Sequence, residues 1–400
     1  MTSAAIDYIK SFLLYGDTDA AKLVGYTANK EEWGKYKVIV VPEDKGELYL
    51  PDLNVRKPVE KVDGRYIIRK DIIYNTFFLI SRAEELLNRK RDKHGRFLAE
   101  YSILGAQNNL LTPIIDEYSR TLMKMLELPL PKQGLTAVNL THDIDTISRY
   151  RHLRGAIGGL CRGEVLSVAR AWININDDPA FCFPWLSEAD KTLKEDGRVK
   201  QIYFIKAGRG RGYDRPQYSL CGSDFRHLEG LLKSEGVQIG LHGSYESAAD
   251  YSRIGKELSA LKKATRQDIT INRQHYLRSC EPQHFAALEA AGITDDYTMG
   301  FADRAGFRLG TTRPVRWIDP TTGQLTRLTL HPLTVMDCTL SSPQYMNLQE
   351  DEAYYVCQQL IDKTIQHAGE LTLLWHNTSF LPTTYHKSLY NSLLQYIKNE

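Results

Sequence analysis

Four short segments of this chain carry side chains able to do chemistry, and each follows an apolar run. The first is Thr141-His142-Asp143-Ile144-Asp145. Two carboxylates at i and i+2 past a strand can divide labour, one binding a metal ion while the other stays free as a base. The same pattern also suits a helix N-cap followed by an acidic first turn. The second is Leu241-His242-Gly243-Ser244-Tyr245-Glu246. His242 leaves a strand and Glu246 follows four residues later, a spacing that lets both converge on one ion at a loop-to-helix junction. Imidazole nitrogen and carboxylate oxygen are both zinc ligands. The third is Asn272-Arg273-Gln274-His275-Tyr276. Its arginine can orient a carboxylate, and the turn beyond it can aim a backbone N–H at a developing oxyanion. In the fourth, Leu373-Leu374-Trp375-His376, an apolar strand hands off to an imidazole that can deliver a proton.

Positioning these groups requires strands. The candidates are residues 136–140, 201–206, 237–241, 269–272, 327–330 and 371–375, with helical patterns at 223–235, 247–264, 282–291 and 350–368. This alternation predicts an α/β fold with a parallel sheet, in which sites form at the carboxyl ends of strands. Asp143, His242, Arg273 and His376 each follow a different strand in this scheme. Residues 1–130 read differently: strands at 36–41 and 47–50, then helices at 71–90 and 113–127. The stretch Leu128-Pro129-Leu130-Pro131 cannot continue a helix, which places a boundary near 128–135. A smaller N-terminal α+β domain (1–130) thus precedes a larger one (131–400), and the latter is expected to hold the whole constellation.

In this order the four motifs resemble those of the polysaccharide deacetylases of carbohydrate esterase family 4, over residues 135–380. The resemblance implies an irregular (β/α) barrel of deacetylase type and a metal-dependent hydrolase removing acetyl groups, N-acetyl above all, from a carbohydrate. It implies Asp143 as the base that activates water and Asp145 as a metal ligand. The family's H-S/T-x-x-H falls on His242 to Glu246, its R-x-P-Y segment on Arg273 to Tyr276, and its L-x-H on Leu374 to His376. His376 would then be the general acid, and the backbone at Tyr276 would face the oxyanion. The cofactor implied is a divalent metal, zinc first. Two departures stand out: Glu246 replaces a histidine ligand, and His275 replaces a proline. The metal set is therefore Asp145, His242 and Glu246, or His275 serves as the third ligand, with His142 as a further alternative. Asp296 or Asp337 could orient Arg273 or His376. Trp185, Tyr213, Tyr276, Trp317 and Trp375 could stack on sugar faces. Residues 1–130 resemble the amino-terminal extension of a subgroup of such proteins.

Composition narrows the alternatives. Of 400 residues, 42% are hydrophobic and 25% charged, and the net charge of +2 points to no nucleic-acid partner. Six cysteines include no CxxC pair, which argues against a zinc ribbon. Scattered cysteines and a start without a basic-then-apolar segment fit a cytoplasmic protein. No run of about 18 apolar residues predicts a membrane span. Two other functions fit the same residues: a catalytically inactive carbohydrate-binding protein on this scaffold, and an amidase acting on a non-sugar amide. Metal analysis separates the first, and a substrate panel the second.

Overall fold

The computed structural model describes residues 1–45, 48–53, 59–193, 197–208, 212–215, 218–380 and 384–400. A small sheet forms from β1 (Val24–Tyr26), β2 (Val38–Val40), β3 (Glu60–Val62) and β4 (Arg65–Ile68), in the order β1-β2-β4-β3. The strand expected at 36–41 is β2. Of the one expected at 47–50, Glu47 lies outside the described residues and Leu48–Leu50 are not in a strand. The helix expected over 71–90 starts as the sequence suggests, with the Asp71 carboxylate accepting from Tyr74 N–H at 2.8 Å. It then stops at Ile80 and a second helix covers Glu84–Leu87. The break is at Arg82, whose backbone is left-handed at φ +64°. There the guanidinium pairs with Glu85 at 2.6 Å and donates to Ser279 Oγ at 2.7 Å, so tertiary contacts override helix propensity.

The large sheet contains β5 (Ala137–Ile144), β6 (Val199–Lys206), β7 (Gln238–Gly243), β8 (Ile271–Gln274), β9 (Asp295–Met299), β10 (Val315–Ile318), β11 (Leu325–Pro332), β12 (Val335–Met336) and β13 (Glu370–Leu374). Their order is β10-β11-β9-β8-β7-β6-β5-β13-β12. All neighbours are parallel except β10 and β11. Strands buried on both faces explain the near-continuous apolar runs in β6 and β13.

The chain passes from β11, near one flank, to β12, at the other, through Leu333 and Thr334 alone. So short a connection cannot cross an open sheet of this width, and the sheet is curled until its flanks meet. At the seam Thr334 N–H donates to the Thr372 carbonyl at 3.2 Å. His331 on β11 stands between Asp295 of β9 (2.9 Å) and Glu370 of β13 (2.6 Å). The result is a curled half-barrel with a separate small sheet.

Residues 1–130 add no strand to the large sheet among the described residues. They pack against it through one continuous hydrophobic core that runs from Ala5 to Ile397. Asp116, on the helix Ile114–Met125, anchors this contact by bonding Thr311, Thr312 and Arg313 at 2.7 to 2.9 Å.

Candidate active site

Side chains alternate along a strand, so Asp143 and Asp145 at the end of β5 share a face while His142 takes the other. His142 is fully buried, with its nitrogens 3.1 Å from the Trp375 carbonyl and 3.1 Å from Asp190. Both ring nitrogens are used, so His142 is a structural residue and not a ligand.

Across β6 and β7, His242 brings Nε2 to 3.7 Å from Asp145 and 3.6 Å from Asp143. Its Nδ1 is 3.0 Å from the Arg273 carbonyl oxygen. A carbonyl only accepts, so Nδ1 carries the proton and the Nε2 lone pair is free; that buried Nε2 has no hydrogen-bond partner. Burial pushes the His242 pKa down to about 4, so the ring is neutral. His275, just past β8, repeats the device. Its Nδ1 is 2.8 Å from Asp214 and its Nε2 is 3.1 Å from Asp145. Ligating atoms of Asp145, His242 and His275 all lie within 4.8 Å of one another.

Glu246 is not brought to this group. It opens the short helix Glu246–Ala248 with its side chain exposed. The cause lies in the preceding turn, where Ser244 N–H is held by Glu257 at 3.0 Å and Tyr245 N–H by Asp214 at 2.8 Å. Those bonds turn the next residue outward. The departure at Glu246 and the departure at His275 thus offset one another: where the first withdraws a side chain, the second supplies an imidazole.

Arg273 is fully buried and donates to Thr141 Oγ1 (2.7 Å), Asp143 Oδ1 (3.1 Å) and the Tyr297 carbonyl (3.0 Å). It is Asp143 that it orients. Asp296 instead accepts from Asn272 and Thr298. Opposite them, His376 is held by both oxygens of Asp337, through its own backbone N–H at 2.7 Å and through Nδ1 at 2.8 Å. Its Nε2 faces Asp145 at 4.0 Å. Tyr276 and Leu277 both have left-handed backbones, at φ +63° and +50°. Such conformations cost energy outside glycine and persist where the surroundings enforce them.

Charge explains the remaining features. Asp143, Asp145, Asp214 and Asp337 face two basic side chains, Arg273 and Lys206, the latter 3.5 Å from Asp145. The group is therefore two positive charges short when its histidines are neutral. In the protein alone, the histidines make up the deficit. Burial opposes protonation of His376, but Asp337 and the carboxylates of β5 outweigh it and push the pKa to about 10. His275 is raised in the same way by Asp145 and Asp214 against burial. Asp145, which burial would raise, is held well below the usual carboxylate range by His275, Lys206 and His376. One divalent cation would supply the same two charges, and the donor set of one carboxylate and two imidazoles suits zinc. A second group, Asp337 with Cys338 and His376, fits poorly: Asp337 is spent on His376, and burial pushes the Cys338 thiol well up.

Several residues escaped the sequence reading. Lys206 had a signal, since it ends an apolar strand as the other motif residues do. Asp214 had none, standing in a loop with no periodic pattern. Around His275 lies an aromatic rim in which Tyr276 is 4.7 Å from His275 and Tyr213 is 4.7 Å from Tyr245. His94, from the N-terminal part, joins it at 5.0 Å from Tyr276, and Arg96 donates to the Tyr276 carbonyl at 3.4 Å. Trp317 and Trp375 are fully buried core residues and are unavailable for stacking. Trp185 lies against Phe380, under Lys387.

A family of unknown function, DUF7033, matches residues 19–131. That match ends just before β5; it includes His94 and Arg96 of the rim but neither the candidate ligands nor Asp143 and His376. Among solved structures, a crystal structure described as a "putative polysaccharide deacetylase" from Mycobacterium smegmatis is similar at 15% identity, over 67% of this chain and 88% of that one, with a TM-score of 0.43. A likeness of that size carries no inference about chemistry. No curated protein matches the chain.

Proposed function

We propose that this protein is a metal-dependent hydrolase that removes acetyl groups, N-acetyl in the first place, from a carbohydrate. The observation that carries the reading is the arrangement of Asp145, His242 and His275, with both imidazoles tied at Nδ1 and their Nε2 atoms turned to one carboxylate. These three residues would hold the cation, zinc by preference for this donor set. A divalent ion so held supplies Lewis acidity toward the acyl oxygen and lowers the pKa of water. Asp143, oriented by Arg273, takes the proton of the attacking water. His376, aligned by Asp337, returns a proton to the leaving amine nitrogen, and the C–N bond breaks to give acetate and the free amine. The backbone of the strained turn at Tyr276 lines the oxyanion side. Residues 1–130 form an N-terminal α+β unit, and residues 131–400 a deacetylase-type barrel that contains the base, the acid and the metal ligands.

An inactive sugar-binding scaffold has no need of an aligned acid and base beside a ligand set, and that favours the enzyme. The test is acetate release from N-acetylated chitooligosaccharides and peptidoglycan fragments, with small amides as the contrasting panel. Asp143→Asn and His376→Ala should each cost about 100-fold or more in kcat. Turnover of the small amides alone would replace the sugar substrate with an amide, and no turnover by protein shown to hold metal would replace the enzyme with a binding protein.

A further inference from the structure

Between β5 and β6 the chain forms two consecutive helices, Leu153–Cys161 and Val165–Ile173, whose outer face is apolar. On the first, Leu153, Ile157 and Leu160 recur at i, i+4 and i+7 and are exposed by 77%, 52% and 48%. On the second, Leu166, Trp172 and Ile173 are exposed by 73%, 53% and 87%. Ile173, Leu153 and Leu166 are the three most exposed large apolar side chains in the described residues. The hairpin is nonetheless built, with a small core of its own. Tyr150, Val168 and Ala171 are buried together, apart from the main core. Gly159 sits at the crossing, where a Cβ would come within 2.6 Å of Val168 and 2.9 Å of Tyr150.

The hairpin is also basic. Residues 153–173 contain three arginines and a single acid, Glu164, for a net charge of +2, and Arg149 and Arg151 stand just before the first helix. Arg151 is spent on Asp224 at 2.9 Å, and Arg162 pairs with Glu164 at 2.8 Å. Arg154 and Arg170 are exposed and make no ion pair among the described residues. Exposed leucine, isoleucine and tryptophan interleaved with arginine is the composition of helices that lie in a membrane interface, the apolar face among the acyl chains and the cations at the headgroups. Each helix spans about 13 Å, well short of a bilayer's hydrocarbon core, so both would lie along the surface. Pairing with a second copy is disfavoured, because a self-complementary contact would oppose one net-positive hairpin to another.

We propose that the hairpin 153–173 docks this protein onto an anionic lipid surface. Its base is fixed to the site end of the large sheet: Ser148 and Arg151, which follow Asp145 by a few residues, both bond Asp224 at 2.9 Å. Asp224 lies in the first turn of the helix Ser223–Glu235 that follows β6. Docking therefore turns the carboxyl ends of β5 and β6, and the cleft with them, toward the membrane. The inference does not depend on the deacetylase reading, since it concerns binding alone.

The test is co-sedimentation of the full chain with vesicles of mixed phosphatidylcholine and phosphatidylglycerol, against pure phosphatidylcholine. The wild type should bind the mixed vesicles, and high salt should release it. Each arginine near such a surface strengthens binding about fivefold, so Arg154→Glu with Arg170→Glu should weaken it by at least about 25-fold. Leu166→Ser with Ile173→Ser should abolish sedimentation. All four side chains are exposed, and circular dichroism checks that the variants are folded. The proposal is overturned if the wild type ignores anionic vesicles at low salt, or binds neutral ones equally well. It is also overturned if light scattering shows a dimer that the two serines dissolve while vesicle binding is absent.

Discussion

The seam of the half-barrel should make folding stability fall in mildly alkaline solution, through His331. This imidazole is 7% exposed and stands between Glu370 at 2.6 Å and Asp295 at 2.9 Å. Burial works against its charge, but the two carboxylates outweigh burial and push its pKa from 6.5 to about 9. A group whose pKa is raised by folding binds its proton more tightly in the native state. Its stabilisation is therefore complete below the unfolded value of 6.5 and is lost as pH climbs through about 9. The gap of about 2.5 at roughly 1.4 kcal/mol per unit amounts to about 3 kcal/mol. That is a sizeable part of the ~5–15 kcal/mol that separates folded from unfolded domains. The assay is urea unfolding of wild type and His331→Gln at steps from pH 6 to pH 10. Glutamine can bond one carboxylate but carries no titrating proton. The wild type should lose about 3 kcal/mol relative to the variant between pH 6.5 and 9.5. Parallel curves over that range would refute the idea that a charged His331 closes the sheet.

Metal content should follow geometry and not sequence spacing. His275→Ala, His242→Ala and Asp145→Ala should each abolish stoichiometric zinc measured after dialysis, while Glu246→Ala should leave it intact. Asp214→Ala, which frees the His275 ring, should weaken zinc binding by about 10- to 100-fold in a competition titration. Glu84 offers a second pH test. Burial raises its pKa to about 8, so ionising it in the folded state costs stability as pH rises above 4.5. Glu84→Gln, which keeps an acceptor for the Ile103 N–H, should therefore stabilise the fold by a few kcal/mol at pH 9 and by little at pH 5, read by urea unfolding. Arg273→Met strands Asp143 without its buried partner and should cost about 3–5 kcal/mol of stability in addition to activity.

The parallel strands of the large sheet were legible because strands covered on both faces must be apolar throughout. Residues 201–206 and 371–375 announce β6 and β13 on that ground alone. β9 was not legible, since it begins with Asp295 and Asp296, whose charges are met mainly by partners in other strands. Asp295 finds His331 on β11, and Asp296 finds Asn272 on β8 besides its near neighbour Thr298. The closing of the sheet was hidden too, because it depends on the brevity of the link at Leu333–Thr334. The outward turn of the helices at 153–161 and 165–173 was not legible either, because an apolar stripe at helical spacing reads the same whether it faces a core or solvent.

The site divides along the same physical line. Asp143, Asp145, His242 and His376 could be found because a parallel sheet delivers the residue after each strand to one end, and that rule needs no knowledge of contacts. The choice between Glu246 and His275 needed contacts. Four residues past His242 is ligand distance only if the chain coils regularly after the strand. It does not, because Glu257 and Asp214 seize the backbone of Ser244 and Tyr245. Asp214 does both jobs at once: one of its oxygens turns the Glu246 side chain away, through Tyr245 N–H, and fixes the His275 ring at Nδ1. A single carboxylate in a loop without pattern thus decides which of the two departures becomes a ligand. It also makes Asp214 the more searching mutation: its loss should loosen His275 and, by releasing Tyr245, disturb the turn that holds Glu246 outside.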